Sequence, residues 1–333
     1  MLYNGLFMPS KPLRTIHVVS HGPSCLDGVM AAAAVARFYD GQRVKTTLAG
    51  NNEADSTIQQ LEVQPNSDDE LWITDLSWNQ VATGDHLNDL AERGVRIYWI
   101  DHHRTAVSRA EAPEFQVQFT DKVLSEQYSA ARLTFNYLRR AARDLPDKAR
   151  EEFEKFAPLA MIADDHDRWV HKIAESPDWA LAVQTLGGIA SYREILRLTE
   201  PTMSRKLRHA FESGRDAMRR SIELAHATLV DRKLENGITV RTACCFGYSS
   251  EVAAKLYADQ HRMVVALFDL RSQGVSLRRS ADCEVDLSRL AENFGGGGHA
   301  AASGFAIPEL RRLPAERLAD ILGDRLLSEP REK

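Results

Sequence analysis

The chain has 333 residues, of which 44% are hydrophobic and 27% are charged, and its formal net charge is −5. This composition is close to that of soluble globular proteins and excludes a disordered or fibrous chain. The length suggests about two domains. The charge is unevenly divided, because residues 1–190 carry a net −8 and residues 191–333 a net +3. The acidic total gives no reason to expect a long nucleic-acid duplex as a partner.

The cysteines and the apolar runs indicate that the chain is neither a disulfide-rich protein nor a membrane protein. Cys25, Cys244, Cys245 and Cys283 are too few and too unevenly spaced for a disulfide framework or a paired zinc ribbon. No run approaches the ~18 consecutive apolar residues of a membrane span. The first 13 residues lack the basic segment, apolar run and cleavage site of a secretory leader. We therefore expect a cytoplasmic protein that does not bind membranes.

The first half of the chain alternates between short β-branched runs and helical patterns. Strands are predicted at 15–20, 71–74 and 95–100, with helical segments at 29–38, 57–61 and 81–92. This alternation predicts an α/β domain with a mostly parallel sheet. We assign residues 1–190 to this domain.

The second half begins with a long charged segment that predicts helix. Residues 191–235 are interpreted as a helical connection between domains. Short apolar strands are then predicted at 238–245, 263–269 and 274–278. A smaller α/β domain is expected over 236–333.

Polar residues cluster where the predicted strands of the first domain end. The four clusters are His21 with Cys25 and Asp27, then Asp75, then Asp101 with His102 and His103, and last Asp164, Asp165 and Asp167. A lone Asp after a strand is ordinarily a cap or turn residue, but four clusters at one sheet edge indicate a ligand site. Mixed carboxylates and imidazoles suit Mn²⁺, Fe²⁺ or Zn²⁺. An Asp shared by two ions ~3.5–4 Å apart would favour attack at phosphorus.

A glycine-rich motif stands near the other end of the chain, where residues 295–298 are four glycines followed by His299. Such a run is unfavourable inside a helix or strand, so we expect a loop whose backbone N–H groups bind a phosphate or carboxylate. It lacks the Gly-Lys-Ser/Thr of a Walker loop. On the preceding strand Arg278 and Arg279 point to opposite faces, so one of them is expected to bind an anion.

These motifs resemble those of the DHH phosphoesterase superfamily. Asp101-His102-His103, with the earlier His21-x-x-x-Cys25-x-Asp27 and Asp75, resembles its catalytic domain. The stretches 275–280 and 294–305 resemble the DHH-associated C-terminal domain. The match covers nearly the whole chain in the right order. Chain length and layout most resemble the nanoRNase and pAp phosphatase branch, which is related to RecJ exonucleases.

The resemblance implies a phosphoesterase that uses two divalent ions, Mn²⁺ foremost. Its substrates would be small nucleotides such as pAp, dinucleotides and short single-stranded oligonucleotides, cleaved at a phosphodiester or phosphomonoester by metal-activated hydroxide. By the same pattern the protein is expected to be a homodimer. The substrate is expected to lie in a cleft, where the first domain cleaves it and the second grips its other end.

Individual roles also follow from the resemblance. One metal ion would be held by His21, Cys25 and Asp75, and the other by Asp27, Asp75, His102 and Asp165, with Asp164 and Asp167 as alternatives to Asp165. Asp101 would orient an imidazole, and His103 would face the substrate phosphate as a hydrogen-bond donor or general acid. The substrate would also be bound by Arg278, Gly296, Gly297, Gly298 and His299.

Cys25 departs from the family pattern, because most members have Asp at this position. A thiolate ligand would favour Zn²⁺ or Fe²⁺, and the alternative is that Cys25 does not bind metal. Two other functions stay open. A pyrophosphatase or polyphosphatase would share the first domain, although the glycine motif argues against it. A nucleotide-binding module would have lost catalysis through the change at Cys25.

Overall fold

The β-branched run that follows Arg14 forms a strand buried on both faces. A computed structural model describes residues 14–63, 68–312 and 319, and in it this run is strand β1, Thr15–His21. The other strands of the first sheet are β2 (Arg43–Ala49), β3 (Glu70–Thr74), β4 (Arg96–Asp101) and β5 (Asp121–Leu124). Their order is β2-β1-β3-β4-β5, and all neighbours are parallel.

Helices cover both faces of this sheet. They are α1 (Leu26–Phe38), α2 (Ala54–Gln59), α3 (Val81–Glu92), α4 (Arg104–Glu111), α5 (Ala130–Ala141), α6 (Asp147–Glu154), α7 (Ala157–Asp167), α8 (Ser176–Leu186) and α9 (Gly188–Leu196). Ile16 and Val18 of β1 belong to one hydrophobic core with the alanines of α1. Val19 belongs to a second core with residues of α2 and α3. Both faces of the central strands are therefore buried, as is usual for a parallel sheet.

Helix α1 begins in close contact with the end of β1. A Cβ at Gly28 would overlap the carbonyl oxygen of His21, so only glycine allows this approach. Ser20 Oγ donates a 2.7 Å hydrogen bond to the carbonyl oxygen of Gly28. The contact brings Asp27, in the first turn of α1, to the carboxyl edge of the sheet.

The register of three adjacent strands aligns their last residues. Ser20 pairs with Thr74, and Thr74 pairs with Ile100. The next residue in each case is polar: His21, Asp75 and Asp101. Because the strands are parallel, these three residues leave the sheet side by side.

A 23-residue helix, α10 (Arg205–Ala227), follows, and the chain divides into two compact units within it, between Arg215 and Asp216. The segment 191–235, interpreted from sequence as a helical connection, also contains the end of α9 and a strand of the second sheet, β6 (Val230–Lys233). Among the described residues no helix is both long and apolar enough to cross a membrane.

The second unit is built on a mixed six-stranded sheet. Its other elements are β7 (Thr239–Cys245), α11 (Ser249–Tyr257), β8 (Met263–Asp269), β9 (Gly274–Arg279), α12 (Leu287–Glu292), β10 (Gly297–His299) and β11 (Ala302–Phe305). The strand order is β10-β11-β9-β8-β7-β6, and only β7 and β8 are parallel neighbours in this described sheet. Val264, Leu277 and Leu287 lie in its core. The predicted α/β class, with a mostly parallel first sheet and a smaller second domain, is confirmed.

The glycine run differs from its prediction. It was expected to form a loop, but Gly297–His299 is strand β10, which pairs with β11 in an antiparallel hairpin. Pairing with a neighbour supplies the hydrogen bonds that offset the low strand propensity of glycine. The hairpin therefore presents this backbone at the edge of a sheet.

Candidate metal centre

Polar side chains from five elements meet at the carboxyl edge of the first sheet. His21 ends β1, Asp75 follows β3, and Asp101 ends β4. Asp27 comes from the first turn of α1 and Asp167 from the last turn of α7. Three strands and two helices thus each place an ionisable side chain at the carboxyl edge of the first sheet.

His102 lies at the centre of the first group of ligand atoms. Its Nε2 lies 3.3 Å from Asp75 Oδ1, 3.5 Å from Asp167 Oδ2 and 3.7 Å from Asp27 Oδ2. These separations are longer than good hydrogen bonds. Two ligands on one ion with bonds of about 2.0–2.2 Å are separated by similar distances. The geometry is that of side chains arranged round a common cation.

Asp75 faces a second group with its other oxygen. Asp75 Oδ2 lies 3.4 Å from His21 Nδ1 and 3.4 Å from Cys25 Sγ. Its Oδ1, by contrast, faces His102 and lies 3.8 Å from His103 Nδ1. The backbone of Asp75 has φ 54°, a left-handed conformation that costs a residue with a Cβ about 1–3 kcal/mol. That conformation lets one carboxylate reach both groups.

Several carboxylates are concentrated in this cluster, and two of them are almost completely buried. Asp27 and Asp75 are each 1% exposed, and in the described chain the ion-pair partners of Asp27, Asp75 and Asp167 are all histidines. Burial and the charges of Asp75 and Asp167 raise the pKa of Asp27 well above its ordinary value. Carboxylates, imidazoles and a thiol are ligands of divalent transition metals. These residues therefore fit divalent metal ions.

Asp101 holds His103 in place. Asp101 Oδ1 accepts hydrogen bonds from the backbone N–H groups of His102 at 2.7 Å and His103 at 3.0 Å. The same oxygen lies 2.8 Å from His103 Nδ1. Burial opposes a charge on His103, but the hydrogen bond and charge of Asp101 outweigh it and raise the pKa to about 9. Asp101 thus fixes the orientation of the His103 ring.

Cys25 lies within this cluster as well as at the start of α1. Its Sγ accepts from the N–H of Gly28 at 3.5 Å, which makes it the N-cap, and its thiol donates to Asp75 Oδ2. Burial and the charge of Asp75 raise the pKa of Cys25 well above its ordinary value. The sulfur would have to lose a proton to become a ligand.

Asp165, the ligand chosen from the sequence, does not lie with the cluster. Its carboxylate accepts hydrogen bonds from the N–H groups of Lys172 at 2.8 Å and Ile173 at 3.2 Å, and from Ser176 Oγ at 2.5 Å. These bonds hold the loop that follows α7. Asp167 takes the position that was expected for Asp165.

Asp164 is also directed elsewhere, because it accepts from the N–H of Ser129 and from Arg132 Nη1. Helical spacing allows both Asp164 and Asp167, since each follows a buried alanine by four residues. Ala160 and Ala163 are fully buried, and Asp167 follows Ala163 by four residues on the same face of α7.

The two arginines of β9 have different environments. Arg278 donates to Ser250 Oγ at 2.7 Å, to Ser276 Oγ at 3.1 Å and to the carbonyl oxygen of Leu277 at 2.7 Å. Burial lowers the pKa of Arg278, and the negative charge of the nearby Glu251 opposes that shift. Arg279 instead donates to the carbonyl oxygens of Ala300 and Cys283. Arg279 braces the hairpin, whereas Arg278 has only neutral partners among its described hydrogen bonds.

The glycines of the hairpin also differ from one another. A Cβ at Gly296 would overlap the carbonyl oxygen of Gly304, and one at Gly298 would lie 2.7 Å from that of Ala302. A Cβ at Gly297 would meet no atom within 4 Å. Packing therefore explains two of the glycines but not Gly297. His299 ends β10 opposite Ala302.

The parallel sheet, the ligand cluster at its edge and the glycine hairpin define an α/β protein with a candidate metal centre. No protein-family model matches the chain. Among curated proteins it is similar to oligoribonuclease NrnB of Bacillus subtilis strain 168, with 28% identity over 310 residues. That alignment covers 88% of this chain and 73% of the relative.

Solved structures share the fold. The pGpG-specific phosphodiesterase PggH of Vibrio cholerae matches with a TM-score of 0.51 and 12% identity, over 93% of this chain and 99% of that one. RecJ of Thermus thermophilus, solved in complex with Mn²⁺, matches with a TM-score of 0.53 and 18% identity, over 92% of this chain and 51% of that one. The chain is therefore similar in sequence to an oligoribonuclease, and it shares its fold with a pGpG-specific phosphodiesterase and with RecJ.

Proposed function

We propose that the protein is a metal-dependent phosphoesterase that cleaves phosphodiester or phosphomonoester bonds of small nucleotides, such as dinucleotides, pAp and short single-stranded oligonucleotides. The observation that carries the proposal is Asp75, whose two oxygens face two separate groups of ligand atoms. The name of the Bacillus relative, an oligoribonuclease, supports a short nucleotide as substrate.

The geometry supports a division of the ligands between two ions, with Asp75 shared. One ion would be held by His21, Cys25 and Asp75, and the other by Asp27, Asp75, His102 and Asp167. Mn²⁺ is our first choice, and Zn²⁺ or Fe²⁺ would suit a thiolate from Cys25. Such ions, when bound, supply a water of lowered pKa and neutralise charge on the phosphate.

His103 would act directly on the substrate. Its Nδ1 is held by Asp101, so its Nε2–H can donate to a phosphate oxygen or give a proton to the leaving oxygen. The hydrogen bond and charge of Asp101 raise the pKa of His103, which favours the protonated ring that both roles require. Asp101 serves by fixing the orientation of this ring.

Arg278 and the glycine hairpin of the second unit would bind a substrate phosphate. The guanidinium donates to hydroxyl and carbonyl oxygens, and a substrate phosphate would be a stronger, charged acceptor. At Gly297 the missing Cβ leaves the backbone accessible to an anion, beside His299.

The other functions are less well supported. A pyrophosphatase would leave Arg278 and the hairpin without a role, since such enzymes resemble this chain only in the first domain. A module without catalysis would not need Asp101 to hold His103 next to the ligand cluster.

A turnover assay tests the proposal. Wild-type protein and Asp75→Asn are incubated with a dinucleotide, pAp, a cyclic dinucleotide and pyrophosphate, each with Mn²⁺, Mg²⁺ or Zn²⁺. Asp85→Asn, which removes an exposed carboxylate on α3, is the matched control. We expect wild type and control to cleave a nucleotide and Asp75→Asn to fail. Cleavage of pyrophosphate alone, or full activity of Asp75→Asn, would contradict the proposal.

A further inference from the structure

Trp169 is exposed next to the metal centre, unlike the other four tryptophans of the chain. It is 39% exposed, whereas the others, Trp72, Trp78, Trp99 and Trp179, are at most 2% exposed. It follows Asp167 by two residues, so the two Cα atoms are at most about 7 Å apart. The indole ring of Trp169 is therefore open to contact with a ligand.

The loop that carries Trp169 is tightly held in an unfavourable backbone conformation. Trp169 has φ 57° and His171 has φ 51°, both in the left-handed region that disfavours residues with a Cβ. The carboxylate of Asp165 accepts from two N–H groups of the loop, and its carbonyl oxygen accepts from the N–H of Val170 at 2.9 Å. Asp165 therefore offsets the strain and fixes where the indole ring stands.

Two imidazole rings pack round the indole ring. The centroid of His171 lies 4.4 Å from that of Trp169, and the centroid of His166 lies 5.6 Å away. His166 and His171 are themselves nearly parallel, at 10° and 5.9 Å. The ring is thus oriented before any ligand binds, which lowers the entropic cost of binding.

Positive charge stands beside this loop. Arg132 and Arg168 share a single carboxylate, Asp164, at 2.7 Å and 3.8 Å. Both guanidinium groups also lie near the ring of Tyr128, at 3.9 Å and 5.9 Å from its centroid. Two cations held by one carboxylate favour a ligand that carries phosphate.

We propose that Trp169 stacks on a nucleobase of the substrate, a role that rests on the proposed function. Aromatic side chains bind bases of nucleic acids in this way, and the stacking tolerates any base because every base has a π-face. Trp169 would therefore select substrates that carry a base next to the scissile phosphate, without selecting which base.

Steady-state kinetics test this role with a dinucleotide and with the same dinucleotide lacking its bases. The variants are Trp169→Ala, Trp169→Phe and, as the matched control, Val81→Ala, which shortens an exposed apolar side chain on α3. We expect Trp169→Ala to raise the KM for the dinucleotide about 5- to 150-fold and to reduce the preference for the base-containing substrate. Trp169→Phe should restore most of this preference, and Val81→Ala should match wild type.

Binding supplies a second measurement that does not depend on turnover. A non-hydrolysable phosphorothioate dinucleotide should quench tryptophan fluorescence in wild type but much less in Trp169→Phe. Equal KM values for wild type and Trp169→Ala, or an equal rise in KM for both substrates, would overturn the stacking role. If wild type cleaves neither substrate, the proposed function fails, and fluorescence alone decides: quenching lost in Trp169→Phe supports stacking, and unchanged or absent quenching overturns it.

Discussion

The sheet edge of the first unit and strand β9 of the second present side chains of opposite charge. Asp27, Asp75 and Asp167 surround His102, and every described ion-pair partner of these carboxylates is a histidine. Arg278, in contrast, donates its described hydrogen bonds to hydroxyl and carbonyl oxygens, with the carboxylate of Glu251 nearby. One region would be completed by cations and the other by an anion.

This difference accounts for part of the uneven charge along the chain. Residues 1–190 have a net charge of −8, and four of their carboxylates lie in the cluster, Asp27, Asp75, Asp101 and Asp167. A buried charge is tolerated where a partner of opposite sign is available. Divalent ions would neutralise the carboxylates, and a substrate phosphate would pair with Arg278. An acidic protein could then bind a short nucleotide.

The largest effect is expected when Asp167 of α7 is replaced, and Asp165 of the same helix provides the comparison. Asp167→Asn should lower kcat/KM by more than about 100-fold, since changes even to residues that only support ligands cost 10- to 100-fold. Its thermal stability should hold, because burial already raises the pKa of Asp167 and disfavours its charge. Enzyme assays and thermal melting measure the two effects.

Asp165→Asn is the matched variant and should behave in the opposite way. It weakens hydrogen bonds from the loop at 172–176 and should reduce the free energy of unfolding by about 1–3 kcal/mol. Its metal content, measured by elemental analysis, should stay that of wild type. If Asp165→Asn loses metal and Asp167→Asn does not, then Asp165 and not Asp167 is the metal ligand.

The sequence predicts most of the cluster but not this last ligand. His21, Asp75 and Asp101 each follow a recognisable buried strand, and parallel strands bring their ends together. Among three carboxylates within four residues of α7, however, the rotation of the helix decides which one faces the site. That rotation depends on the packing of α7 against α1, a contact between residues distant in the chain.

The strands that sequence patterns did not predict are also held by distant neighbours. Arg43–Ala49 alternates between exposed and half-buried residues at the edge of its sheet, and Asp121–Leu124 has only four residues. Gly297–His299 has glycines where strand propensity is low, and its pairing with 302–304 determines its conformation. Local sequence carries little signal for such strands.

Removing the positive charge of Arg278 should weaken substrate binding and leave the metal ions bound. Arg278→Met should raise the KM about 10- to 100-fold, because a hydrogen bond to a charged group contributes about 1.5–3 kcal/mol. Metal content, measured alongside the kinetics, should be unchanged. If Arg278→Met loses its metals or leaves KM unaltered, the contrast between the two regions fails.

The hairpin glycines permit a finer comparison. Gly297→Ala adds a methyl group where no atom lies within 4 Å, so stability should change by less than about 0.5 kcal/mol. Its KM should rise about tenfold as the methyl group obstructs an anion. Gly296→Ala, whose Cβ would overlap Gly304, should instead lower the melting temperature. Unchanged KM in Gly297→Ala would remove the backbone of this residue from the binding site.

The smallest effect concerns pH. Burial opposes ionisation of Asp165, but the hydrogen bond from Ser176 and those from the loop amides outweigh it and lower its pKa. Such a carboxyl stabilises the fold above its unfolded pKa of about 3.9, and this stabilisation is lost as pH falls through the lower folded pKa. In denaturant titrations the stability difference between wild type and Asp165→Asn should be constant from pH 7 to about 5 and shrink below about pH 4. A difference that grows on acidification would contradict this sign.

The sharing of two ions through Asp75 is tested most directly by counting metal. Wild type and Asp75→Asn are titrated with Mn²⁺ by calorimetry, and bound ions are located by anomalous diffraction. The account predicts two ions per chain on either side of Asp75 in wild type, and loss or marked weakening of both in the variant. A single ion in wild type, or two ions bound with undiminished affinity by Asp75→Asn, would contradict it.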